Sequence, residues 1–390
     1  MKAWWSQPLL LGLFVYAWTS SIVVLGISFG HQFVAPLQET SGPSLPEKFS
    51  AYDGGWYKEI AATGYHYDPN QQSPTAFFPL FPLLGRGVMY ITGLGPIGAL
   101  LSVAHICLAA AFVVAAVYLR DRRLPSDQST ISLTLLALGL MPATFFFRMT
   151  YSESTFLLLT LVFLRGVQRE WSLPVLALIA GLASACRPVG VGLLAPLLIY
   201  AWRCSPRCRT FLARTALYAP LACWGLFAYA AFLYFQFDEP LAFAKIQVHW
   251  GRVAPSWTVK MLALLSYQPI WEVFLWQPVA GWSVFAWEQV NAVYFAVSAI
   301  LILFGIWQRR LNVYETSLAV MLLLIPYLTR AYEMNMASSA RFAAVAFPVY
   351  LIVGEGLARL PPAVSAAVLG ISAFLLGAFS ALFAGGHPVF

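Results

Sequence analysis

Two carboxylates and a scatter of arginines are the residues of this chain best suited to chemistry. Asp53 opens Asp53-Gly54-Gly55-Trp56-Tyr57-Lys58-Glu59-Ile60-Ala61, and Glu153 closes Arg148-Met149-Thr150-Tyr151-Ser152-Glu153. A carboxylate at a membrane surface can act as general base, taking a proton from a hydroxyl. It can also cap a helix by accepting from a backbone N–H two or three residues on. Asp53 is open to both readings. Ser152 and Glu153 also suit the first turn of a helix, where a carboxylate meets the positive end of the dipole. Arg148, Arg187, Arg341 and the group Lys245, His249 and Arg252 are basic residues close to apolar runs. Such residues can hold a phosphate at the lipid headgroup level. The plainer alternative pairs them with acids such as Glu153, Asp238 or Glu333. Arg330 and Glu333 precede Arg341 in the same stretch.

Several chemistries find no support. No Walker motif, dinucleotide fingerprint, HExxH or Ser-His-Asp pattern stands out. Of the five cysteines, Cys204 and Cys208 flank three residues in a basic loop, a poor zinc spacing. All five read as structural. His66 and His105 stand alone, and His105, inside an apolar run, reads as a packed residue. No metal or cofactor is expected.

The elements that must position these residues are membrane helices. The chain has 390 residues, of which 60% are hydrophobic and only 10% charged, and its mean hydropathy is +0.73. Soluble proteins carry about 25% charged residues. The composition excludes a soluble enzyme, a disordered protein and a nucleic-acid binder. The net charge of +7 is a topology signal before it is a ligand signal. The apolar residues suffice for about eleven spans of about 20 residues. The expected architecture is all-α, one polytopic domain over 1–390. No cleavable signal peptide is evident in the first apolar run, Pro8 to Phe29.

Sidedness follows from Lys and Arg. If Phe77–Thr92 does not cross, the basic loops Arg120-Asp121-Arg122-Arg123, Arg165–Glu170, Arg203–Arg214 and Gln308–Arg310 all face the cytoplasm. About eleven crossings then remain. Two long loops, 30–76 and 236–289, lie outside, together with the short turns at 148–154, 186–188 and 330–341. Trp56 with Ile60 and Tyr57 with Ala61 are spaced i,i+4, which predicts a short interfacial helix starting at Asp53. Two prolines in Phe77-Phe78-Pro79-Leu80-Phe81-Pro82 break a regular helix. That segment either lines a cavity or anchors in the aromatic belt.

The motifs, in their order, resemble those of the PIG-V-like mannosyltransferases, which include the enzyme adding the second mannose of glycosylphosphatidylinositol and bacterial relatives. The resemblance rests on Asp53-Gly54-Gly55-Trp56-Tyr57, Ile60-Ala61-Ala62-Thr63-Gly64-Tyr65 and Phe77-Phe78-Pro79-Leu80-Phe81-Pro82. Pro142-Ala143, Tyr151-Ser152-Glu153-Ser154, Ala185-Cys186-Arg187-Pro188-Val189-Gly190, Arg341-Phe342 and Phe347-Pro348 extend it over roughly residues 50–350. Tyr52, Met141 and Phe342 depart from the Trp, Asn and Tyr usual there.

The resemblance implies the membrane glycosyltransferase fold called GT-C, with short interfacial helices in the first outer loop. It implies an inverting transfer of mannose, or a similar hexose, from a polyprenyl- or dolichyl-phosphate donor to a lipid-linked or glycan acceptor. The active face would be non-cytoplasmic, in a bacterial plasma membrane or a eukaryotic endoplasmic reticulum. Asp53 matches the position of the family's candidate base. Phosphate is already a good leaving group, so no metal is strictly needed. Arg187 and Arg341, with Arg148, Lys245 or Arg252, would stabilise its charge. Glu153, Trp56, Tyr57 and His249 would orient groups or meet the acceptor. Competing readings are a transporter or flippase of lipid-linked sugars, a ligase joining lipid-linked oligosaccharides, and a non-catalytic subunit. Against the transporter, no internal repeat is visible, and the polar residues gather at span ends.

Overall fold

The apolar runs fold as helices, and prolines decide where those helices break. A computed structural model describes residues 7–35, 44–122, 127–205, 207–275, 287–387 and 389. Arg123, and residues 36–43 and 276–286 of the two long loops, lie outside the described residues. Among the described residues all regular structure is helical.

Four helices are long and apolar enough to cross a membrane: Pro8–Phe33, Pro96–Arg120, Trp287–Trp307 and Pro362–Ala384. At about 1.5 Å per residue each covers a hydrocarbon core of about 30 Å. Two further runs, expected as single spans, are bent pairs. Gln128–Leu140 meets Pro142–Arg148 at 75°, and Cys208–Ala222 meets Trp224–Phe237 at 51°. Pro142 and Pro220 lie at these breaks, where proline removes a helical N–H and crowds the preceding turn. Counting each pair as one span gives six candidates by length and composition. Leu80–Thr92 has 13 residues, or about 20 Å, too short to cross alone. It ends at Gly93 with φ 72°, the left-handed C-cap that glycine tolerates best.

Small residues bring the terminal helices together. Pro8–Phe33 packs on Pro362–Ala384 and on Pro96–Arg120. A Cβ on Gly30 would lie 2.2 Å from the Ala381 carbonyl oxygen, so that close approach requires glycine. In lipid, such backbone proximity replaces the hydrophobic drive of water. Leu25, Phe29, Ile300, Leu303 and Phe374 are exposed on the long helices, as an apolar solvent allows.

An ion network closes one end of the helices. Arg122 meets Glu315 through Nε at 2.7 Å and Nη2 at 2.8 Å, and Glu355 through Nη1 at 3.2 Å. The Tyr118 hydroxyl donates to Glu315 Oε1 at 2.6 Å. Glu315 and the Arg122 side chain are almost fully buried. Removing one partner strands the other charge, at a cost of about 3–5 kcal/mol. Glu315→Ala is therefore expected to lower the apparent melting temperature in detergent sharply. An unchanged transition would refute this role for the network.

Candidate active site

The opposite end of the Pro96–Arg120 helix, about 37 Å away along its axis, carries the loop that follows Pro8–Phe33 and, beyond it, a cavity. The first long loop is fastened to the segment before Glu153. Thr150 N–H donates to the Phe49 carbonyl at 3.0 Å, the Tyr151 hydroxyl to the Ala51 carbonyl at 2.9 Å, and the Thr150 hydroxyl to the Ser50 hydroxyl at 3.0 Å. Gly54 permits this closeness, since a Cβ there would lie 2.5 Å from Thr150 Oγ1. Tyr52 turns the chain with φ 53°, an uncommon conformation for a bulky residue. Its hydroxyl is held by the Gly386 carbonyl at 2.7 Å. A short helix then runs Asp53–Thr63, as the i,i+4 spacing predicts.

Asp53 does not cap that helix. The capping position is Tyr52, with no side-chain cap hydrogen bond. Asp53 instead turns its carboxylate to the Arg341 guanidinium, Oδ2 to Nη1 at 2.6 Å. Arg341 also faces Glu153, Nε to Oε1 at 3.4 Å, and Arg187 pairs with the same oxygen at 2.6 Å. Asp53, Arg341, Glu153 and Arg187 thus form one chain of charges. Their side-chain exposures fall from 27% at Asp53 to 2% at Glu153. Asp53 is the most exposed of the four. Glu153 is the buried anchor, and its Oε2 has no hydrogen-bond partner among the described residues. The rings of Phe146, Tyr151 and Phe342 lie 5.2–5.5 Å from the Arg341 guanidinium, close enough for cation–π attraction.

These four residues line a cavity of about 560 Å³, within the usual range for a small-molecule site. Phe77, Phe78, Phe243, Trp250, Ile325 and Pro326 supply apolar wall. Of the two readings of the Phe77–Pro82 segment, the cavity lining holds for Phe77 and Phe78. Tyr57 also lines the cavity, its hydroxyl 2.9 Å from Ser152 Oγ. Arg252 lines it too, gripped by Glu272 at 2.9 and 3.2 Å and lying 4.1 Å from the Tyr332 ring centre. The Arg252 hydrogen bonds hold the Glu272 carboxyl below the usual carboxylate range. Arg252 Nε and N–H donate to the Tyr332 and Glu333 carbonyls at 2.6 and 2.8 Å. This clasp ties the second long loop to the segment before Arg341.

Four expected site residues lie elsewhere. Arg148 is fully buried and donates to Thr19 Oγ1 at 2.7 Å, the Thr144 carbonyl at 2.9 Å and Ser20 Oγ at 3.2 Å. The 3₁₀ turn starting at Pro142 directs it into the helix packing, away from the cavity. Lys245 points outward and pairs with Glu239. His249 Nε2 meets the Pro69 carbonyl at 2.9 Å, joining the two long loops to each other. Trp56 stacks on Phe77 at 6.0 Å and faces a shallow recess with Lys58, Glu59 and Pro96.

The cavity also holds Gln247, Lys260, Arg330 and Glu333, which were not singled out as site residues from the sequence. Among the described residues no three His, Cys, Asp or Glu side chains converge as a metal site would need. A cavity with several guanidinium groups above an apolar wall suits an anionic amphiphile.

No protein-family model and no curated protein matches the chain. Among solved structures it is similar to the oligosaccharyltransferase AglB of Archaeoglobus fulgidus. Against the apo form, identity is 14% over 96% of this chain and 56% of that one, with a TM-score of 0.44. Against the complex with an inhibitory peptide and a dolichol-phosphate, identity is 12% over 96% and 56%, with a TM-score of 0.43. The form tethered to an acceptor peptide gives 12%, 96%, 55% and 0.42. The chain spans about half the length of the solved structures it matches.

Proposed function

We propose that the chain is a membrane glycosyltransferase of the GT-C kind. It moves a hexose, mannose by the motif resemblance, from a polyprenyl-phosphate donor to a lipid-linked or glycan acceptor on the non-cytoplasmic face. The observation that supports this most is Asp53. It is a partly exposed carboxylate, oriented by Arg341, at the wall of a cavity whose lining combines apolar side chains, five cationic residues and the carboxylates Glu153 and Glu333.

In this reading Asp53 takes the acceptor hydroxyl proton as that oxygen bonds to the anomeric carbon. The bond from that carbon to the phosphate oxygen breaks, and the departing phosphate keeps the electron pair. Arg341 and Arg187 offset the growing charge, while Glu153 holds both arginines in place. A phosphate leaves without a proton from a general acid, so one catalytic carboxylate is enough.

The test is the purified full chain in liposomes with radiolabelled polyprenyl-phosphate mannose and total lipid extract as acceptor. The label is expected to leave the donor phosphate and appear in a new glycoside. An intact donor, moved between leaflets or unchanged, would overturn the reading; movement would favour a transporter.

A further inference from the structure

We infer that Arg330 is the residue that docks the phosphate of the lipid-linked substrate. This assignment rests on the transferase reading only for the identity of the sugar. The cavity's cations are otherwise each committed to a carboxylate: Arg341 to Asp53, Arg187 to Glu153, Arg252 to Glu272 and Lys260 to Glu333. Arg330 has no carboxylate within ion-pairing distance among the described residues. Its Nη1 donates to the neutral side chain of Gln247. Asp53, Glu333 and Arg341 are the charged groups whose fields reach it. After pairing, one positive charge is left over in the cavity, and a phosphodiester carries one negative charge.

Local backbone and position favour the same role. Arg330 sits in a π turn, Tyr327–Ala331, that follows Pro326 at the end of the Val313–Pro326 helix. Such turns are rare, occur mostly as single-turn bulges in α-helices, and are frequent at functional sites. Ile325, Pro326 and Thr329 of this stretch line the cavity, whereas Leu324 and Leu328 are exposed on its other side. A phosphate at Arg330 therefore lies where the cavity meets a lipid-facing helix wall. That is where the headgroup of an amphiphile would come to rest, with its chain in the bilayer. Gln247 comes from the second long loop, so the anion would be gripped where loop and helix meet.

The experiment is a binding titration of the full chain in nanodiscs, without acceptor. The probes are polyprenyl-phosphate mannose and a sugar-free alkyl phosphate. Arg330→Gln keeps a partner for Gln247 but loses the charge, and is expected to weaken both probes about 10–100-fold, the worth of a charge-assisted hydrogen bond. Arg330→Lys should retain more affinity, and Lys245→Gln should bind as wild type. If the alkyl phosphate depends on Arg330 while the mannose donor does not bind, the anion site stands and the mannosyl reading falls. Undiminished binding by folded Arg330→Gln, or no binding of either probe by wild type, would overturn the assignment.

Discussion

Asp53→Asn is expected to reduce sugar transfer at least about 100-fold, the lower range for losing a general base, with little change in thermal stability. Asparagine has the shape of aspartate, and its carbonyl can still accept from Arg341 Nη1. Arg341 also keeps Glu153 at 3.4 Å, so it is not left without a counter-charge. The substitution therefore removes the proton acceptor while sparing the scaffold. Parallel measurement of initial transfer rates and melting curves decides the matter. A folded variant with near wild-type rate would make Asp53 a partner for Arg341 alone, and Glu153 the next carboxylate to test.

Glu153→Ala should fail for a different reason. Its carboxylate is 2% exposed and serves two guanidinium groups. Without it Arg187, itself largely buried, is left, among the described residues, with the flanking Phe156 and Phe342 rings at 6.0 and 5.4 Å. Stranding a buried charge costs about 3–5 kcal/mol, a large part of the stability of most folds. Replacing both partners, as Glu153→Leu with Arg187→Met, should recover much of that loss, because a matched apolar pair carries no desolvation penalty. Activity should stay absent in the double variant, since Arg187 would no longer face the cavity. A double variant no more stable than Glu153→Ala would show that the pair is not what holds these helix ends together.

Much of this was legible from residue types. Polar motifs at the ends of apolar runs stand out in a chain with 10% charged residues. Asp53, Glu153, Arg187 and Arg341 could be marked from that alone, and the motif resemblance ordered them. Their mutual pairing could not be read, because the residues come from four distant stretches of chain. Arg148 was misplaced because the spacing does not disclose that a 3₁₀ turn after Pro142 points its side chain inward. Lys245 was misplaced because a basic residue beside an apolar run can face outward as easily as inward. Arg330 went unmarked for a subtler reason. Glu333 three residues later resembles an i,i+3 partner on a regular helix. The π turn alters that register, and Glu333 turns to Lys260 instead. Prolines likewise explain why apolar runs and straight spans do not correspond one to one.

The most direct test of Asp53 as base in a single displacement is the anomeric configuration of the product. The wild-type chain would be incubated with polyprenyl-phosphate mannose of defined anomeric configuration, and the new glycoside assigned by proton-coupled NMR of its anomeric carbon. Inversion is the expected result, since one carboxylate that activates the acceptor permits one attack from the face opposite the phosphate. Retention would contradict the account, requiring a covalent sugar–enzyme intermediate and a nucleophilic role for the carboxylate assigned here as base.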